Sequence, residues 1–167
     1  MLPTAGQVAE IPCLVPRSRI PREFEDANGH VNIRHYLDLG STAVTACLEQ
    51  VGVNDAYRAG GLGLFTAENH LAYFAELLVG QEVSVHAHMI GRTDKAIHCM
   101  AYVLNDTLGV LAATFESLTV HIEFSTRRSC VMPQDLADRV DTVIRRGRTS
   151  WAPPAGRAVA LRGEISG

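Results

Sequence analysis

Apolar residues recur at three- and four-residue spacing from Ile33 through Tyr36, Leu37, Val44, Cys47 and Leu48 to Val51. That period predicts one helix over 32–51. Asn32 suits its N-cap, because the side chain can take a free backbone N–H, and Gly52 suits its stop. Gly40, Ser41, Thr42, Ala43 and Ala46 widen the apolar surface with small residues. A glycine in mid-helix costs about 1 kcal/mol relative to alanine, so Gly40 predicts a close backbone approach. A helix this apolar is expected to be central and wrapped by other elements.

After a glycine-containing loop over 54–63 the period changes. Residues 64–78 read as a long extended stretch with a polar middle at Glu68, Asn69 and His70. Val83, Val85, Ala87 and Met89 alternate with Glu82, Ser84, His86 and His88, the two-residue period of a half-buried strand. Turn signals at 91–94 and 105–109 bound a strand over 96–104, and a final long strand follows over 110–124. Ahead of the helix, 15–24 reads as a short strand, with its prolines placing it at an edge. Behind the sheet, Pro133 opens a short helix over 134–144.

The predicted class is α+β: an antiparallel sheet curled around one long central helix, since the sheet must bury a face and the helix is the large element available. Residues 1–14 read as a loosely held lead-in, 15–132 as the folded domain, 133–145 as a short C-terminal helix and 146–167 as a poorly ordered tail rich in Gly, Pro, Arg and Ala. A single layer leaves sheet edges open, which predicts pairing with a second copy as a homodimer or homotetramer.

Composition narrows the function classes. At 167 residues and 47% hydrophobic content the chain is one domain with room for a core. A net charge of −3 with interspersed signs gives no reason to invoke nucleic acid or an anionic membrane. No apolar run is long enough for a membrane span, and 1–16 lacks the pattern of a secretory signal. Cys13, Cys47, Cys99 and Cys130 form no CxxC pair and read as buried free thiols in a reducing cytoplasm. Seven histidines raise the question of a metal. With a two-residue turn at 93–94, Arg92 pairs with Lys95, residues 86 and 88 oppose 101 and 99, and His98 points away from His86 and His88. No HExxH pattern occurs either, so no metal is expected.

The chemistry concentrates in Glu25-Asp26-Ala27-Asn28-Gly29-His30-Val31-Asn32-Ile33-Arg34-His35-Tyr36, a polar, turn-rich approach to the helix. Asn28-Gly29 is a strong turn signal. Asp26 can cap that turn or act as a base or nucleophile, and the residues alone leave both open. Amides in the first turn of the helix lack internal partners and attract developing negative charge.

This stretch resembles the opening motif of the hotdog-fold acyl-CoA thioesterases, in the superfamily of 4-hydroxybenzoyl-CoA thioesterase. The match lies at Asp26, Gly29 and Tyr36. Residues 70–77 (HLAYFAEL) with Val79-Gly80-Gln81 resemble the family's strand entering a glycine turn. Residues 119–128 (TVHIEFSTRR) resemble the last strand of a subgroup associated with carnitine and betaine breakdown.

The resemblance implies a hotdog fold and hydrolysis of an acyl-CoA thioester, with coenzyme A as part of the substrate and no cofactor. Asp26 would be the base or nucleophile, Ile33 would supply the oxyanion-binding amide seven residues on, and Gly29 would admit the substrate. His30 and Asn32 would polarise the carbonyl or place water, although His30 also reads as a helix-entry residue. Tyr36 would line the pocket or join the core. Glu68 and Asn69 would complete a partner subunit's site or serve a structural hydrogen bond. Arg92, Lys95 and, above all, Arg127 and Arg128 are the candidates for the phosphates of coenzyme A. Two other readings stay open: a hotdog hydratase or dehydratase pairing His30 with Asp26, and a non-catalytic acyl-CoA-binding dimer.

Overall fold

The computed structural model describes residues 2–156. Its elements are α1 (Ala5–Val8), β1 (Cys13–Arg19), α2 (Ile33–Gln50), α3 (Asp55–Ala59), β2 (Leu62–Tyr73), β3 (Glu82–Arg92), β4 (Ala96–Asn105), β5 (Val110–Glu123), β6 (Arg128–Ser129) and α4 (Gln134–Arg146). The strands form one antiparallel sheet in the order β1-β3-β4-β5-β2, with the short β6 also beside β5. It is the hotdog arrangement: a curled sheet with a long helix on its concave face.

α2 buries Tyr36, Gly40, Ala43, Val44, Cys47 and Leu48. The facing sheet contributes Val85, Ala87, Met89, Cys99, Ala101 and Phe115 to the same core. Fully burying one such large side chain is worth about 1.5–3 kcal/mol, so this seam is the main source of stability. Gly40 answers to Phe115. A Cβ on residue 40 would lie 2.4 Å from the Phe115 Cγ, so only glycine lets α2 reach the sheet. The wrapping is one-sided, however. Arg34, Leu37, Asp38, Ser41, Thr42, Thr45 and Glu49 are exposed, because the sheet covers only the concave side.

The outer face of the sheet is covered as well. Val8, Ile11, Met100, Tyr102, Leu104 and Leu111 form a second buried cluster, with Trp151 and Ala155 against it. The lead-in is therefore not loose. Thr4 and Gln7 cap α1 reciprocally, and Val8 is fully buried. Residues 147–156 also differ from the expected disordered tail. The Trp151 ring meets Tyr102 edge to face at 5.5 Å, and the Gly156 N–H donates to both Glu116 carboxylate oxygens at 2.9 and 3.0 Å. The remainder of that expected tail, 157–167, lies outside the described residues. These covers bury Ser84, His86 and His88 on the outer side of β3, where alternation predicted a half-exposed strand.

Further differences are local. The strand expected over 15–24 ends at Arg19 and gives way to a 3-10 turn at Arg22–Phe24, as Pro21 allows. The stretch expected over 64–78 ends as a strand at Tyr73. The β3–β4 register also departs from the two-residue turn. Arg92 pairs with Ile97 and Gly91 with His98, then an irregularity at Ile90 leaves His88 opposite Met100 and His86 opposite Tyr102. The wider turn and the bulge together move the register by one residue, which reverses the face of His98. His98 shares the outer face with His86 and His88, and its Nε2 lies 2.7 Å from Glu116. Among the described residues no group of three or more His, Cys, Asp or Glu could hold a metal.

Gly40→Ala is expected to destabilise the protein by about 1–3 kcal/mol through overpacking. Thermal unfolding would show a lower Tm, and adding Phe115→Leu should recover part of the loss. An unchanged Tm in Gly40→Ala would show that α2 is free to shift.

Candidate active site

The segment between β1 and α2 folds back on itself. The Asp26 N–H donates to the His30 carbonyl at 2.9 Å, the Gly29 N–H to the Asp26 carbonyl at 3.1 Å, and Glu25 bridges Val31. Gly29 has φ +80°, a left-handed conformation that glycine adopts without a side-chain penalty. The loop is tied down by two further bonds, Asn32 N–H to the Phe24 carbonyl (2.8 Å) and Val31 N–H to the Leu77 carbonyl (2.9 Å).

This closure fixes the Asp26 carboxylate. Oδ1 accepts the Asn28 N–H at 2.8 Å, which is the turn-capping role. Oδ2 lies 3.6 Å from His30 Nδ1 and has no closer partner among the described residues. One oxygen thus orients the group and the other keeps lone pairs available. His30 Nδ1 also lies 3.3 Å from the Val31 carbonyl; a carbonyl only accepts, so that nitrogen carries the proton when this bond forms.

At the start of α2, Asn32 Oδ1 accepts the Arg34 N–H at 3.1 Å, so Asn32 is engaged as the N-cap. The Ile33 N–H has no acceptor among the described residues, and the first turn holds no acidic residue. An unsatisfied amide and an uncompensated helix dipole therefore stand a few residues from Asp26.

His30 and Ile33 border a cavity of about 350 Å³ that is also lined by Val31, Tyr36, Tyr73 and Glu76, among others; Asp26, Gly29 and Asn32 are not among its lining residues. Tyr36 is both core and wall. It is 4% exposed, and its hydroxyl accepts the Leu77 N–H at 3.1 Å. Burial pushes the phenol pKa up to about 12, so Tyr36 is neutral at ordinary pH.

The other expected site residues lie elsewhere in the chain. Glu68 and Asn69 are exposed on the edge strand β2; they are not buried polar groups in need of partners. Arg92 is bound by Asp141 of α4 through two hydrogen bonds of 2.6 Å, which also hold the Asp141 carboxyl below the usual range. Lys95 is exposed in the β3–β4 turn. Arg127 sits 5.0 Å over the Phe65 ring with φ +57°, and Arg128 is exposed in β6. Leu62, at the start of β2, pairs with Glu123 near Arg127, whereas Tyr73 at its end lines the cavity. At about 3.3 Å per residue the two ends are roughly 36 Å apart. Within one chain, then, the arginine pair and the cavity lie at opposite ends of the sheet.

Sequence reasoning passed over Tyr73 and Glu76. Read as one strand over 64–78, they looked like ordinary strand positions. The signal was an aromatic pair followed closely by an isolated carboxylate.

A family model described as the thioesterase-like superfamily matches residues 21–140, and the chain belongs to that superfamily. A hypothetical protein from Staphylococcus aureus, solved in complex with CoA, superposes with a TM-score of 0.82 at 24% identity, covering 91% of this chain and 97% of the other. A putative thioesterase from Pseudomonas putida gives 0.74 at 23% identity, covering 92% and 99%. Among curated proteins, an L-carnitine dehydrogenase/betainyl-CoA thioesterase from Agrobacterium fabrum is 29% identical over 133 residues, 80% of this chain. The Rhizobium meliloti protein of the same name is 25% identical over 161 residues, 96% of this chain. The chain spans only 27% and 32% of the length of these two relatives.

Tyr36→Phe is expected to leave the buried Leu77 N–H without its acceptor, costing about 1–3 kcal/mol. Urea unfolding of the variant should show the midpoint falling with little change in slope. A stability equal to wild type would mean that water replaces the hydroxyl.

Proposed function

We propose that the protein hydrolyses an acyl-CoA thioester to a free acid and CoA, with Asp26 as base or nucleophile. The observation that carries this reading is the fixed Asp26 carboxylate, with Oδ1 on the Asn28 N–H and Oδ2 held only at 3.6 Å from His30, seven residues before the unpartnered Ile33 amide at the head of α2. As water or Oδ2 attacks the carbonyl carbon, negative charge gathers on the carbonyl oxygen. The Ile33 N–H and the helix dipole would stabilise that oxyanion without reorganising. On the general-base route Asp26 takes the proton from water. Collapse of the tetrahedral intermediate then breaks the C–S bond, and the CoA thiolate leaves and takes up that proton. On the nucleophilic route the same collapse expels the CoA thiolate and leaves an anhydride on Asp26, which water opens to the free acid and the carboxylate. Both need only water besides the substrate, and no cofactor.

The names of the curated relatives put betainyl-CoA first among the acyl groups to try. The basic residues enter through a second copy. β2 is one of the sheet's two edge strands, exposed from Phe65 to Asn69. Antiparallel pairing of two β2 edges would bring the Arg127–Arg128 end of one protomer toward the Tyr73 end of the other, within reach of a CoA phosphate. This makes a homodimer the smallest complete unit, with a tetramer as a dimer of such dimers. A cytoplasmic location fits a substrate of this class.

A second reading is hydration or dehydration of an acyl-CoA, favoured by the 3.6 Å approach of His30 to Asp26.

CoA release from short, branched, aromatic and quaternary-ammonium acyl-CoAs is expected for at least one substrate. Asp26→Asn should lower its kcat by about 10²–10⁴-fold. A no-substrate control subtracts the protein's own four cysteines. Turnover that survives in the variant would move the catalytic group elsewhere, and loss of enoyl absorbance without CoA release would favour the hydratase. Light scattering should give a dimer or tetramer mass; a monomer that hydrolyses at full rate would overturn the two-copy site.

A further inference from the structure

The cavity beside α2 combines aromatic rings with acidic charge. Among the described residues no lysine or arginine lines it. The Tyr36 and Tyr73 rings meet edge to face, with centroids 5.1 Å apart and planes at 84°, so two aromatic walls stand nearly at right angles. Tyr36 is pinned by its bond from the Leu77 N–H. Tyr73, the last residue of β2, is 46% exposed and keeps ring surface free. Glu76 is exposed and has no hydrogen-bond or ion-pair partner among the described residues. Burial is the main cause of the raised Tyr36 pKa, and the nearby Glu76 charge adds to it.

Aromatic faces and an unpaired carboxylate together attract a cation. A quaternary ammonium donates no hydrogen bond, so it is recognised by charge and ring surface alone, and this cavity offers both. Glu76 would disfavour an anionic group at the Tyr73 side of the cavity, away from the helix amide. Position matters too. Ile33 and Tyr36 are three residues apart on one helix and share a face. A carbonyl held at the Ile33 amide would thus place the end of a short acyl group against Tyr36.

We propose that Tyr36, Tyr73 and Glu76 form a box selecting acyl thioesters that carry a quaternary ammonium close to the carbonyl. The inference rests on the thioesterase reading for turnover, but not for binding.

The test compares betainyl-CoA with 3,3-dimethylbutyryl-CoA, in which a carbon replaces the charged nitrogen at nearly the same size. The readout is the ratio of the two kcat/KM values. Wild type is expected to favour the cation at least tenfold. Tyr73→Leu and Glu76→Gln should each shrink that ratio several-fold, while Tyr73→Phe retains it. Both positions are exposed, and thermal unfolding would verify that the variants are folded. A wild-type ratio near one, or a ratio unmoved by both substitutions, would overturn the proposal. If neither thioester is hydrolysed, calorimetric titration with the non-hydrolysable ketone analogues, a methylene replacing sulfur, decides separately. Tighter binding of the cationic analogue, lost in Glu76→Gln, keeps the box and removes the hydrolase reading. Equal or no binding of the two analogues overturns the box itself.

Discussion

Leu77 is fully buried, and both of its backbone polar groups are met by the entry to α2. Its N–H reaches the Tyr36 hydroxyl, and its carbonyl takes the Val31 N–H. An unpaired backbone group at such a depth would cost as much as a lost hydrogen bond or more. The segment after β2 is thus held against the start of α2, and the two walls of the cavity come from these two segments. The Asp26 loop inherits the same constraint through Val31, which lies one residue beyond the His30 carbonyl that closes it. The geometry of the site is set by peptide groups as much as by side chains.

The hydrophobic seam acts on the same geometry from below. Gly40 lets α2 settle onto Phe115, and that close approach sets the packing depth of the helix on the sheet. On the other face, α1 and residues 147–156 cover β3 and β4. His88 there is neutral, because burial pushes its pKa down, with Nδ1 against the Gly147 carbonyl and Nε2 against the Tyr102 hydroxyl. That polar bridge ties the end of α4 to the sheet without placing a charge in the outer core. Arg92 with Asp141 adds a second tie between β3 and α4. A rigid sheet, braced on both faces, is a reasonable platform for a site built from a loop and a helix end.

Much of this was legible in the chain. Periodicity placed α2, its Asn32 cap and the succession of strands, because a 3.6-residue stripe and a two-residue alternation are local properties. Asp26, Gly29 and the free amide of Ile33 were legible as a motif, since the turn and the helix start are adjacent in sequence. The register of β3 with β4 was not, because a bulge at Ile90 has no signature in the alternation of Val83 to Met89. Nor was the covering of the outer face, since α1 is a single turn whose burial depends on the sheet beneath it. Nor was the pairing of Arg92 with Asp141, or the placing of Arg127 and Arg128, within one chain, at the end of the sheet away from Tyr73.

The sequence by itself determined which segments become helix or strand and which polar stretch closes into the turn ahead of α2. Those outcomes follow from side-chain period, capping and turn preference within a few residues. Only the tertiary structure decided that Tyr73 and Glu76 face the head of α2, that Tyr36 serves the core and the cavity together, and that His98 shares a face with His86 and His88. Each depends on contacts between residues distant in the chain, fixed by register and by the packing depth of one helix on one sheet.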